Sequence, residues 1–397
     1  MRLSLCMIVK NEAENLPRCL DSVKNAVDEM VVLDTGSTDN TIEIARSYGA
    51  QVSEFEWRDD FAAARNEALK HVTGDWVLVL DADEVLAAPV VPVLRQLIER
   101  EETLVINLVR HEIGASQSPY SLVSRLFRHH PAIEFSRPYH AMIDDSVSQL
   151  LQTEPDWQII DCADTAILHY GYQPGAITSR NKLQLAKATM ERAWRSNPED
   201  PYVCSKLGAL YVQMEDFTKG IQLLERGLRS FSTPTAPVLY ELHYHLGIAH
   251  SRLKQYALAE HHYETATQQP ILNRLKLGAY NNFGNLLKGK GDLLNAEKTY
   301  QTCIEIDPNF AVGYYNLGMT LKAKGHLAPA LTHYQKAIQL DPNYAEAYQN
   351  LGVVLLKLGK APEGLQAFKR AIALHQSHDP AEAERLQQGL AEMGFQV

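Results

Sequence analysis

Cysteine is scarce in this chain: Cys6, Cys19, Cys162, Cys204 and Cys303 are odd in number and scattered. No Cys-x-x-Cys pair occurs, which excludes the usual zinc spacing and a disulfide framework and points to a reducing, cytoplasmic setting. Long apolar runs are missing as well. None approaches the roughly 18 residues that a membrane helix needs. Residues 1–9 are apolar but turn at once into Lys10-Asn11-Glu12-Ala13-Glu14, without a small-residue cleavage site, so a first strand is expected there and not a signal peptide. Basic charge is in deficit, with 38 Lys and Arg against 48 Asp and Glu and a net charge of -10. Nucleic-acid binders carry the opposite balance.

What is present is a globular composition, 45% hydrophobic and 22% charged over 397 residues, a length that favours two domains over one core. In the first half, apolar runs at residues 3–9, 29–33, 51–55 and 76–80 alternate with helical spacing at 15–23, 41–48 and 61–70. Strand and helix in alternation predict a parallel, doubly wound α/β sheet. In such sheets ligands bind at the carboxyl ends of the strands. Two runs end in acids there: Asp34, and the pair Asp81 and Asp83. If those strands are neighbours, Asp34 would bind a base or ribose and Asp83 a diphosphate through a hard divalent cation, which takes one or two carboxylates and fills its shell with water and phosphate.

Four stretches now come together: Ser4-Leu5-Cys6-Met7-Ile8-Val9-Lys10-Asn11-Glu12, Val32-Leu33-Asp34-Thr35-Gly36-Ser37-Thr38-Asp39, Asp60-Phe61-Ala62-Ala63-Ala64-Arg65-Asn66 and Asp81-Ala82-Asp83-Glu84. In this order the chain resembles the family 2 glycosyltransferases of GT-A fold, with a Rossmann-like, mostly parallel sheet. The resemblance implies a nucleoside-diphosphate sugar donor, a UDP-sugar in first place, a divalent Mn²⁺ or Mg²⁺, and inversion at the anomeric carbon. It places Asn11, Glu12, Asp34 and Arg65 around the nucleotide, Asp81 by the ribose or sugar, Asp83 on the metal, and His169 as a further metal ligand or diphosphate contact. Many members carry a second acid directly after the position of Asp34. Thr35 stands there instead, which leaves the base open.

The acceptor must lose a proton to a base on the opposite wall. Relatives of this type carry Arg-Leu-Phe-Arg and then a His-Glu pair. Here Arg125-Leu126-Phe127-Arg128 and His140 are present, with Ala141 in place of the Glu. Asp144, Asp145, Glu134 and His140 are the alternative bases. The missing Glu also supports a rival reading, a scaffold whose transferase domain has lost its base.

After residue 172 the alternation stops, and residues 178–196 read as one long helix. Beyond it Leu207-Gly208, Leu246-Gly247, Phe283-Gly284, Leu317-Gly318 and Leu351-Gly352 recur with gaps of 39, 37, 34 and 34 residues. Twelve residues after each Gly stands a small residue, and four further on Leu224, Tyr263, Tyr300, Tyr334 or Phe368. This resembles the tetratricopeptide repeat, an all-α solenoid of helix pairs. The organisation expected is a transferase domain at 1–175, a linking helix at 176–197, five repeats at 198–376 and a capping helix at 377–397. Asn282, Asn316 and Asn350 recur every 34 residues and resemble the asparagine ladder that grips peptides in repeat-bearing O-linked N-acetylglucosamine transferases, so a protein or peptide partner is expected in the groove. A glycan or lipid-linked saccharide is the other acceptor class.

Overall fold

The computed structural model describes residues 1–115, 118–137, 141–171, 179–230 and 234–395. The chain divides into two compact units, Met1–Leu210 and Tyr211–Val397.

The first unit begins with β1 (Leu3–Val9), α1 (Leu16–Val23), β2 (Glu29–Asp34), α2 (Thr41–Ser47), β3 (Gln51–Glu54), α3 (Phe61–Leu69) and β4 (Trp76–Val79). There follow β5 (Glu84–Leu86), α4 (Val91–Leu97), β6 (Thr103–Glu112), β7 (Tyr120–Arg128), α5 (Asp144–Thr153) and β8 (Gln158–His169). Eight strands make one sheet in the order β3-β2-β1-β4-β7-β6-β8-β5. Its first four strands are parallel neighbours, as the alternation predicts. Beyond β4 the sheet is mixed, because β7 runs antiparallel to both β4 and β6. The reason is local: the backbone N–H of Glu112 donates to the carbonyl of Pro119 at 2.8 Å, and so short a turn permits only an antiparallel return. The last strand, β8, is twelve residues long and ends at His169, which places that imidazole at a strand end.

Apolar residues of alternating parity fill both faces of the sheet, as in strands covered on both sides. Leu3, Leu5, Met7, Val9, Trp76, Leu78 and Leu80 pack with α1 on one face. Val31, Leu33, Val77, Val79 and Phe127 pack with α3 and α5 on the other. The Asp60 carboxylate caps α3 by accepting the Ala63 N–H at 3.0 Å, so the helix carrying Arg65 has a fixed start.

Helices alone follow: α6 (Ser179–Ser196), α7 (Pro201–Gln213), α8 (Phe217–Leu228), α9 (Ala236–Arg252), α10 (Tyr256–Thr267), α11 (Leu277–Gly289) and α12 (Leu293–Ile306). The chain continues with α13 (Ala311–Ala323), α14 (Leu327–Leu340), α15 (Ala345–Lys357), α16 (Ala361–His378) and α17 (Pro380–Glu392). In each repeat of the second unit the conserved spacing has one cause. A Cβ added at Gly247, Gly284, Gly318 or Gly352 would meet the ring of Tyr263, Tyr300, Tyr334 or Phe368 at 2.6–2.8 Å. Only hydrogen leaves room for that ring, and the three tyrosines are at most 2% exposed.

Candidate active site

β1 and β2 are parallel and in register at Val9 and Asp34, so their carboxyl ends open side by side. Asp34 is 2% exposed. Its Oδ2 accepts the backbone N–H groups of Gly36 at 2.9 Å and Ser37 at 2.8 Å, in a turn that Gly36 makes with φ of 99°. Its Oδ1 is buried without a partner among the described residues, a cost of about 1–3 kcal/mol unless a ligand or water donates to it. Asn11 completes the same loop, donating its N–H to Ser37 Oγ at 2.8 Å and accepting the Thr38 N–H at 2.7 Å. Burial raises the pKa of Glu12, the Asn15 side chain lowers it, and Asp83, Asp81 and Asp39 add to the rise. Glu12 therefore shares one field with both acids of the Asp-Ala-Asp run.

Those two acids hold different partners. Asp81 lies between two guanidinium groups, Arg65 Nη2 at 2.7 Å from Oδ1 and Arg125 Nη2 at 3.0 Å from Oδ2. Burial opposes its charge, yet the two cations hold it well below the usual carboxylate range. Arg65 Nη1 and Arg125 Nη1 are buried without partners among the described residues. Asp81 offsets one of the two guanidinium charges, and the nearby Glu84 and Asp83 act against the other, so the cluster is held together by opposed charges in a buried setting. The Asp81 N–H donates to Glu84 Oε2 at 2.8 Å, and the fully buried Glu84 takes Arg110 Nη1 at 3.0 Å on its other oxygen.

Asp83 faces His169 instead, with its Oδ2 at 3.2 Å from Nε2. β8 runs beside both β5 and β6, with His169 in register with Glu84 and with Glu112. Glu112 therefore reaches Nδ1 of the same ring in a short contact. Burial disfavours a charged imidazole, but the hydrogen bonds to Asp83 and Glu112 outweigh it and push the pKa up to about 9. A Cβ at Gly171 would lie 2.6 Å from His169 Nε2 and 3.1 Å from Asp83 Oδ2, so the backbone itself closes one side of the pair. Once a metal displaces the Nε2 proton, a carboxylate and a neutral imidazole on one side, with a carboxylate behind the ring, form a donor set that fits Mn²⁺ completed by phosphate and water, while Mg²⁺ would rest on Asp83 alone. No cluster of three or more protein ligands occurs among the described residues.

The four candidate bases separate. Asp145 is bound by Arg137 Nε at 3.1 Å and Nη2 at 3.2 Å, and by Ser136, which hold its pKa down against burial. Glu134 is exposed, and its backbone is tied to Ser146. His140 lies outside the described residues. Asp144 opens α5 with an exposed side chain and its carboxylate 3.5 Å from Ser124 Oγ; crowding by neighbouring atoms, then Asp145, raises its pKa despite a backbone hydrogen bond, an effect that its exposure to solvent weakens. Ala141 packs against the apolar cluster of that face.

Sequence reasoning missed Glu84, Arg110, Glu112 and the part played by Arg125. Glu84 and Arg125 stood inside quoted motifs. Glu112 had no local signal, being 57 residues from the ring it holds.

In the second unit the three asparagines are not equivalent. Asn282 donates to Tyr244 Oη at 3.2 Å and Asn350 to Tyr315 Oη at 3.2 Å. Asn316 is 6% exposed and donates to Asn281 at 2.9 Å. The ladder expected from the spacing is thus interrupted at its middle rung, where the amide is spent inside the helix packing.

Comparison with known proteins gives two kinds of match. Residues 4–160 match the model of glycosyl transferase family 2. Tetratricopeptide repeat models match residues 205–270, 277–310, 299–331, 320–359 and 345–378. A TPR repeat-containing protein of Synechococcus elongatus is 44% identical over 292 residues, 74% of this chain and 72% of that protein. The prophage-derived glycosyltransferase SunS of Bacillus subtilis is 24% identical over 231 residues, 57% of this chain and 53% of that one. The chain thus spans about half the length of that relative. Among solved structures, the TPR protein YrrB aligns over 51% of this chain and 100% of its own, with 20% identity and a TM-score of 0.41.

Proposed function

The chain belongs to glycosyl transferase family 2 and carries tetratricopeptide repeats behind its transferase domain, and from that premise we propose that it transfers a sugar from a nucleoside-diphosphate sugar to a polypeptide held by the repeats, in the reducing cytoplasm. Residues 1–175 would perform the transfer, 176–197 link, 198–376 form five repeats and 377–397 cap them. The observation that carries this reading is the Asp83–His169 pair, 3.2 Å apart, backed by Glu112 and closed by Gly171.

The free Oδ1 of Asp34 accepts an N–H of the base, with UDP-sugars the first donors to test, and Asn11 and Glu12 shape the wall around it. Arg65 and Arg125, parked by Asp81, keep their unpaired Nη1 donors for the diphosphate as its charge grows on departure. When bound, Mn²⁺ on Asp83 and His169, or Mg²⁺ on Asp83, would supply further stabilisation of that charge. Asp144 takes the proton from the acceptor hydroxyl, since a raised pKa brings a carboxylate nearer to a working base. The acceptor oxygen bonds to the anomeric carbon as the bond to the diphosphate oxygen breaks, and one displacement inverts that carbon.

The test is donor binding by calorimetry across UDP-, GDP- and dTDP-sugars with Mn²⁺. One of them binds, and Asp83→Ala weakens it by roughly 10²-fold or more, the scale of losing one such electrostatic contact. Absence of binding with every donor would replace this reading by the scaffold. Labelled donor in a lysate then marks protein bands, whereas label confined to glycan or lipid fractions would reassign the acceptor.

A further inference from the structure

Imidazoles crowd one place in the second unit. His243 and His250 stand on α9 and His261 and His262 on α10, and the other three rings gather around that of His262. His243 and His262 meet through like nitrogens, Nδ1 to Nδ1 at 2.9 Å. His250 lies flat against the His262 ring, with the two planes 4° apart, and its own Nδ1 is held by Gln255 Oε1 at 2.6 Å. That ring positions its neighbour and has its Nδ1 already occupied.

A gap of 2.9 Å between two ring nitrogens admits one hydrogen. Two N–H groups would collide there, so at least one of the two nitrogens presents a bare lone pair to the other. Among the described residues no hydrogen bond or ion pair joins a carboxylate to any of the four rings, and nothing there favours a second proton. Burial, then the neighbouring imidazoles, lowers the pKa of both His243 and His262. Neutral imidazole is the form that a metal takes.

We propose that His243 Nδ1 and His262 Nδ1 together hold a divalent first-row metal ion of tetragonal or octahedral preference, Cu²⁺ or Ni²⁺, with water in its remaining positions. Metal–nitrogen bonds of about 2.0–2.1 Å drawn across 2.9 Å meet at about 90°, the cis angle of those geometries. A tetrahedral Zn²⁺ would need the nitrogens about 3.3 Å apart. Imidazole without carboxylate also selects against Mg²⁺, Ca²⁺ and Mn²⁺, which prefer oxygen. Both rings are half-buried, so a hydrated ion reaches them from solvent. The ion replaces one shared hydrogen by two coordinate bonds and staples α10 to α9. The site belongs to the second unit and goes beyond the transferase reading, on which it does not rest.

The test is electron paramagnetic resonance of Cu²⁺ added at one equivalent to the chelator-treated full chain carrying Asp83→Ala, which disables the transferase site as a competitor. The spectrum shows coupling to two imidazole nitrogens, and the ion raises the melting temperature of the second unit, as a ligand of the folded state does. His243→Gln and His262→Gln each keep a hydrogen-bonding side chain. Each removes the two-nitrogen signal and the melting shift and weakens Cu²⁺ binding in calorimetry at least tenfold. Circular dichroism checks that each variant is folded, and either one alone decides the matter. His261→Gln, which alters the exposed neighbour, leaves signal, shift and affinity as they were. Equal loss in His261→Gln would reassign the ion to surface histidines and overturn the proposal. A single coupled nitrogen, or a melting temperature that the ion does not raise, would overturn it as well.

Discussion

The two units use distance along the chain in opposite ways. In the repeats the pairs that matter are close in sequence: Gly318 and Tyr334 are 16 residues apart, and Asn350 reaches Tyr315 across 35. In the transferase unit Arg125 reaches Asp81 across 44 residues and His169 reaches Asp83 across 86. A solenoid stacks each element on its neighbour, so a rule legible in one repeat holds in the next. A mixed sheet assembles its site from strand register, which no local spacing encodes. The repeats should thus be broken by volume, and the site by charge.

The largest effect is expected from volume. Gly318→Leu would drive a side chain into the fully buried Tyr334 ring, already 2.8 Å from the position of a Cβ. Overpacking costs about 1–3 kcal/mol or more, and in a linear array the loss spreads to adjoining repeats. Urea unfolding of the second unit should shift to lower denaturant, while donor binding by the first unit stays as in the parent chain. A parallel loss of donor binding would show that the two units do not fold independently.

That contrast also explains what could be read beforehand. The recurrent Leu-Gly and the aromatic sixteen residues on were legible because one steric fact repeats. The parallel half of the sheet was legible because β1 to β4 alternate with helices. The antiparallel return of β7 was hidden because the residues between β6 and β7 carry neither helical nor strand spacing in the sequence. The Asp81–Ala82–Asp83 run was legible as acids at a strand end, and the resemblance already separated Asp81 by the sugar from Asp83 and His169 at the metal; what no spacing showed is that Arg125 arrives from β7 to join Arg65 on Asp81. Asn316 shows the converse failure: a perfect period of 34 placed it, and burial took its amide out of the groove.

A smaller effect, by charge alone, is expected at Glu112. Glu112→Gln keeps the shape and removes the carboxylate behind the His169 ring. Changing such a partner costs about 10–100-fold in metal affinity, so Mn²⁺ binding by calorimetry should weaken by that factor with the unfolding of the repeats unchanged. An unaltered affinity would sink the role assigned to Glu112 and return His169 to a packing residue.

The smallest effect separates the units by pH. His262 lies between α9 and α10 with its Nδ1 2.9 Å from that of His243, its ring stacked on His250, and His261 beside it. Burial, then His243, His250 and His261, push its pKa down to about 4. The unfolded chain takes up that proton below about pH 6.5, so the repeats hold their full stability above that pH and lose it as pH falls from there toward 4. His169 carries the opposite sign, since its pKa is raised to about 9. Its contribution is complete below pH 6.5 and fades as pH rises through 9. Acid should therefore lower the melting temperature of the second unit and alkali that of the first. Allowing for partial exposure, each effect is on the order of 1 kcal/mol, or about 2–4 °C. His262→Asn should flatten the acid limb of the second unit and leave the alkaline limb of the first untouched. If both limbs persist in that variant, the acid sensitivity belongs to carboxylates and not to the histidine cluster.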